Sequence, residues 1–143
     1  MMSNHRVLIV DDEQPVLDAV RDYLQAYGLE VDTAREREEA EALVSAIDYG
    51  LVIADMRLTG IHGREGLELV RYIREHRPRT RIIVITAHGS GELRAEVRRC
   101  GADTFLEKPI PLSDLVSESF ALLGLGKASD LWSGRRSMES SNG

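Results

Sequence analysis

A doubly wound α/β domain is the fold this sequence predicts, with five parallel strands and helices on both faces. Three observations carry that expectation. Short aliphatic and β-branched runs, Val7-Leu8-Ile9-Val10, Leu51-Val52-Ile53-Ala54 and Ile82-Ile83-Val84-Ile85, have no polar residue to turn toward water. That is the pattern of strands buried on both faces. Helix-like segments separate these runs in strict alternation, as a parallel sheet with right-handed crossovers requires. The 143 residues suit one domain with a single core.

The elements follow in order. After the first strand, Pro15 sits where the first turn of a helix tolerates it, and Val16, Leu17, Val20 and Leu24 recur at helical spacing up to a stop at Gly28. Glu30-Val31-Asp32-Thr33-Ala34 alternates like a more exposed strand. Glu36 to Ile47 reads as a charged helix whose inner stripe is Ala40, Leu43, Val44 and Ile47. The strand ending at Asp55 leads into a loop containing Gly60, Gly63 and Gly66, then a helix carrying Leu67, Val70 and Ile73 that ends before Pro78. After Thr86 a Gly/Ser stretch precedes a helix from Glu92 to Cys100, closed by Gly101. Thr104-Phe105-Leu106-Glu107 is the fifth strand, and a helix from about Ser113 to Leu123 is the last element. The folded domain is expected to span residues 1–124. Residues 125–143 are rich in Ser and Gly, and that tail is expected to stay disordered, with Leu131-Trp132 its one apolar exception.

Composition narrows the function. Hydrophobic residues make up 43% and charged residues 29%, which favours a globular chain over a disordered one. The net charge of −6 argues against non-specific nucleic-acid binding, which rests on neutralising phosphates. A lone cysteine, Cys100, allows no intrachain disulfide and fits a cytoplasmic location. The polar start from Met1 to Arg6, with no apolar run approaching the roughly 20 residues that span a bilayer, leads to an expectation of neither leader nor membrane anchor.

The chemistry lies where the strands end. Parallel strands gather their last residues at one sheet edge, where open α/β sheets bind ligands. Asp11, Asp12, Asp55, Thr86 and Lys108 each follow or close a strand-like run. Like charges about 5 Å apart repel by roughly 3 kcal/mol at an effective dielectric of 20. A hard divalent cation relieves that repulsion, and an all-oxygen donor set suits magnesium, which favours phosphate as a further ligand. Each residue alone has a plainer role. Asp11 and Asp12 could cap the next helix, Lys108 could be a solvated surface lysine, and Thr86 could simply fill a strand. Their joint placement argues against those roles. Pro109 permits a cis bond after Lys108, which would turn the lysine over the sheet edge.

The set Val10-Asp11-Asp12-Glu13, Asp55, Thr86-Ala87 and Phe105-Leu106-Glu107-Lys108-Pro109 resembles the receiver domain of two-component response regulators, over roughly residues 5 to 124. The resemblance implies a flavodoxin-like fold with strand order 2-1-3-4-5. It implies that Asp55 accepts a phosphoryl group from a kinase histidine. Asp12 and Asp55 would ligate magnesium directly, together with the carbonyl of Arg57, and Asp11 would do so through water. Thr86, the Ala87 amide and Lys108 would hold the phosphoryl oxygens. Phe105 matches a switch aromatic that moves with Thr86. The implied partners are a sensor histidine kinase or phosphotransfer protein, a downstream protein and a second copy in a homodimer, with neither nucleic acid nor membrane. The implied role is a signalling switch rather than an enzyme.

The chain departs from the family pattern after Asp55. Thr59 stands where most receivers have proline, and the stretch to Gly66, through Thr59 to Glu65, is about three residues long for the family. Arg57 and His88, two residues beyond Asp55 and Thr86, are bulky and are expected to obstruct an attacking water. A phosphatase of the haloacid dehalogenase type is the enzymatic alternative. It needs a second aspartate two residues after its nucleophile, and Glu13 stands there after Asp11. A receiver that acts as an unmodified scaffold is the third reading, opposed by the intact acidic, hydroxyl and lysine positions. His62, His88 and Cys100 are too scattered to suggest a transition-metal site.

Overall fold

The computed structural model describes residues 5–55, 64–87 and 89–125. Five parallel strands form one sheet: β1 (Arg6–Val10), β2 (Glu30–Ala34), β3 (Leu51–Asp55), β4 (Arg81–Thr86) and β5 (Thr104–Glu107), in the order β2-β1-β3-β4-β5. The helices are α1 (Gln14–Ala26), α2 (Arg37–Ala46), α3 (Arg64–His76), α4 (Gly91–Cys100) and α5 (Leu112–Leu123). This is the expected flavodoxin-like order. Of the tail expected to be disordered from 125 to 143, Leu125 packs on the core and donates its amide to the Phe120 carbonyl at 2.9 Å, and the rest lies outside the described residues, as do Arg57, Thr59, His62 and His88.

The apolar runs divide between two cores by the two-residue period of a strand. Leu8, Val10, Val52, Ala54, Ile82, Val84 and Phe105 face α2, α3 and α4, where they meet Val44, Leu69, Ile73 and Val97. Val7, Ile9, Leu51, Ile53, Ile83 and Ile85 face α1 and α5, where they meet Leu17, Leu24, Val116 and Phe120. β2 at the sheet edge is the more exposed strand expected, but its burial does not alternate strictly: Val31 and Ala34 are buried, while Asp32 and Thr33 are both half-buried. Its Asp32 accepts a hydrogen bond from buried Tyr49 at 2.6 Å and pairs with Arg6 at 3.2 Å.

Helix boundaries agree with the sequence reading to within two residues, except that α3 starts at Arg64. Gly66, read as part of the preceding loop, is buried in its first turn. Gly101 closes α4 at φ +117°, a left-handed conformation in which a Cβ would lie 2.9 Å from the Arg74 side chain. That arginine braces the sheet edge opposite the strand ends. Its guanidinium donates to the carbonyls of Gly101 at 2.7 Å, Pro78 at 2.6 Å and Thr80 at 2.9 Å, and pairs with Asp103 at 3.1 Å.

Truncating this brace leaves several carbonyls without a protein donor. Arg74→Ala is expected to cost about 2 kcal/mol, a value reduced for partial exposure. Arg74→Lys should recover only part of that, because one ammonium cannot reach all the acceptors. Urea denaturation of the three proteins measures both effects.

Candidate functional site

The parallel register sets the site. Val10 lies opposite Ala34 and Ala54, Asp55 opposite Ile85, and Thr86 opposite Glu107, so the strands end along one rim. The Asp11 amide donates to the carbonyl of Ala34 at 3.1 Å, which continues the sheet one residue past β1. Asp11 is therefore buried, and its Oδ1 accepts from the Glu13 amide at 3.0 Å. Asp12 turns outward and is exposed, while its carbonyl accepts from Arg35 at 3.1 Å.

Asp55 and Thr86 close β3 and β4, and both are buried. The Lys108 amide donates to the carbonyl of Thr86 at 2.8 Å, and the Lys108-Pro109 bond is cis. Lys108 then donates from Nζ to Asp55 Oδ2 at 2.5 Å. The rim thus holds Asp11, Asp55, Thr86, half-buried Ala87 and Lys108, with Asp12 at its mouth. Phe105 is buried on the α4 side of β5 and does not line this rim. The resemblance put Asp12 on a cation directly and Asp11 one water away; here Asp11 is the carboxylate buried beside Asp55. The Arg57 carbonyl lies outside the described residues.

Burial is the main force on Asp11. It pushes the carboxyl up to about 7, opposed by the Glu13 amide. The charge of Asp55 and a hydrogen bond with it push further in the same direction, and Lys108 pulls back. Among the described residues no three acidic, histidine or cysteine side chains converge on one point. The converging pair is Asp11 and Asp55, with Lys108 as counter-ion. Asp11 and Asp55 offer hard oxygen donors whose mutual repulsion a divalent cation would relieve in place of a proton.

One feature of the site was missed in the sequence. A cavity of about 550 Å³ opens beside the carboxylates between α1 and α5, walled by Val16, Val20, Ile110 and Leu115. Its signal was present, since Val16 follows Asp11-Asp12 and Ile110 follows Lys108-Pro109 within a few positions.

Residues 7–119 match the response regulator receiver domain model. This chain belongs to the receiver domain family. The receiver is 36% identical over 114 residues to the response regulator protein PilR of Pseudomonas aeruginosa, covering 80% of this chain and 25% of that protein. It thus spans about a quarter of the length of the first curated relatives it matches. Among solved structures, it is similar to a CheY-like receiver domain protein from Methanospirillum hungatei, with a TM-score of 0.79 and 30% identity over 85% of this chain and 95% of that one. It is also similar to the beryllofluoride-activated NtrC4 receiver domain dimer, with a TM-score of 0.71 and 30% identity over 83% and 98% of the two chains.

The raised Asp11 carboxyl makes the receiver's stability depend on pH. Between the ordinary carboxylate range and about pH 7 the folded chain keeps a proton that the unfolded chain has released. The contribution is full at low pH and falls as pH rises toward 7. Asp11→Asn keeps an acceptor for the Glu13 amide but cannot ionise. Without metal, this variant should match the parent near pH ~4 and exceed it by about 2 kcal/mol near pH ~8, after discounting for solvent screening. Urea denaturation at both pH values checks it.

Proposed function

We propose that this receiver is a phosphorylation-operated switch. Asp55 accepts a phosphoryl group from the phosphohistidine of a sensor histidine kinase or phosphotransfer protein, and the modified form engages a downstream protein. The observation that carries the reading is the buried Asp55 carboxylate held by Lys108, with Thr86 and Asp11 on the same rim. A buried nucleophile next to a cation and a hydroxyl is arranged to accept charge rather than to shed it.

The chemistry follows from those positions. An Asp55 carboxylate oxygen forms the new P–O bond in line with the breaking P–N bond, and the imidazole leaves with a proton from solvent. Lys108 moves from the carboxylate to the phosphoryl oxygens, where a compact ammonium is effective. The Thr86 hydroxyl and Ala87 amide donate to the same oxygens, which is positioning and charge neutralisation rather than acid–base work. Magnesium, when bound through Asp11, Asp12, Asp55 and the Arg57 carbonyl, supplies neutralisation of the charge gathered between carboxylates and phosphoryl group. The product carries about −1.5 to −2 added charges, which gives Thr86 and Lys108 a new partner.

On this reading the chain is a signalling element and not an enzyme acting on outside substrates. Its location is cytoplasmic. No helix among the described residues is long and apolar enough to cross a membrane. The similarity to an activated receiver dimer supports homodimerisation as one output of modification.

Incubation with a small phosphodonor and magnesium should add one phosphoryl mass on Asp55, absent in Asp55→Asn. Lys108→Ala should slow that gain by about 10²-fold, the scale of losing one oxyanion partner. Intact-mass spectrometry over time measures both. Turnover of diverse phosphate esters without a stable adduct would point to a phosphatase instead.

A further inference from the structure

We infer that Glu107, held in place by Arg94, is a positioning residue that orders the segment carrying Thr86 and Ala87. The inference deepens the phosphoacceptor reading and rests on it for its effect on chemistry. Glu107 lies opposite Thr86 in the β4–β5 register. It precedes Lys108, and successive strand residues point to opposite faces, so its side chain is free for another task. Its Oε2 accepts from the Gly89 amide at 3.2 Å, three residues beyond Thr86. Its Oε1 lies 3.8 Å from Arg94 Nη2 on α4. The Arg94 guanidinium also sits 4.7 Å above the centre of the Phe105 ring, two residues back on the same face of β5.

These contacts form one clasp. Ser90 caps α4 by accepting from the Leu93 amide at 3.0 Å, and the Arg94 amide donates to the Ser90 carbonyl at 2.9 Å. Segment 89–94 is thereby stitched to β5 at Phe105 and Glu107. Gly89 approaches so closely that a Cβ there would lie 3.0 Å from both Phe105 Cε1 and Glu107 Oε2. The buried residues of α4, Val97 and Cys100, lie in its second half; in its first turn only the half-buried Leu93 packs on the core, and the clasp adds a second anchor there. The Arg94 and Glu107 side chains are 45% and 48% exposed, and a bare ion pair at that exposure contributes little. The geometry matters more, because one carboxylate must serve an amide and a guanidinium that is itself seated on an aromatic ring.

Amide exchange on the full, unmodified chain separates this arrangement from an ordinary surface ion pair. Glu107→Ala should speed exchange at Gly89 by about tenfold. Glu107→Gln, whose amide oxygen still accepts, should stay within about twofold of the parent. Arg94→Ala should give about a threefold increase. The swap Arg94→Glu with Glu107→Arg should not restore protection, because arginine cannot accept from the Gly89 amide. With phosphodonor and magnesium, Asp55 modification should slow by about tenfold in Glu107→Ala and recover in Glu107→Gln. Unchanged Gly89 exchange in Glu107→Ala, or full restoration by the swap, overturns the clasp. Altered exchange with an unaltered modification rate overturns its positioning role. The exchange arm needs no phosphodonor, so a parent protein that never gains mass on Asp55 counts against the phosphoacceptor reading alone.

Discussion

Lys108 and Asp55 are 53 residues apart in the chain, and their contact is the constraint to which the rest of the molecule answers. It exists only if β3, β4 and β5 lie parallel, adjacent and in one register, and if the backbone after β5 carries the lysine back over the rim. The Asp55 side chain is 5% exposed and that of Lys108 28%. Burying such a pair is poor value for stability alone, because apolar residues of similar volume often do as well or better. The chain fills equivalent sheet positions one layer deeper with Val10, Ala54 and Val84, which are almost completely buried. The polar rim therefore answers to chemistry, and the apolar layer beneath it supplies the stability that tolerates it.

Much of this was legible in the sequence because it follows from short-range rules. Strands buried on both faces leave uninterrupted apolar runs, and each run here ends at a residue of the rim. The helix stops at Gly28 and Gly101 were legible because both adopt left-handed backbone, at φ +92° and +117°. The depth of the two adjacent aspartates was not legible. Asp11 is buried because its amide pairs with Ala34 on a neighbouring strand, and Asp12 is exposed because the chain leaves the sheet there. No local pattern distinguishes them, since the deciding hydrogen bond comes from residues on a different strand. The contact of Arg94 with Phe105 and Glu107 was hidden for the same reason: nothing in the local run from Glu92 to Cys100 points to β5 until that strand is placed beside it.

The energetics of α4 connect the rim to the surface. Val97 and Cys100 are its buried residues, against Gly66, Leu69, Val70 and Ile73 on α3. At about 1.5–3 kcal/mol for a fully buried apolar side chain, Val97 and Cys100 hold α4 by about 3–6 kcal/mol, against about 4.5–9 kcal/mol for the three apolar side chains of α3. Moving a two-state element from 1:99 to 99:1 takes about 5.5 kcal/mol of differential interaction. The grip on α4 is thus comparable to what a new charge on the rim must redistribute. On the proposed reading, a phosphoryl group that draws Thr86 and Lys108 inward acts on the two ends of the segments that meet at Glu107. α4 is attached at that meeting point, so it is an element on which a change at Asp55 can register without unfolding the sheet.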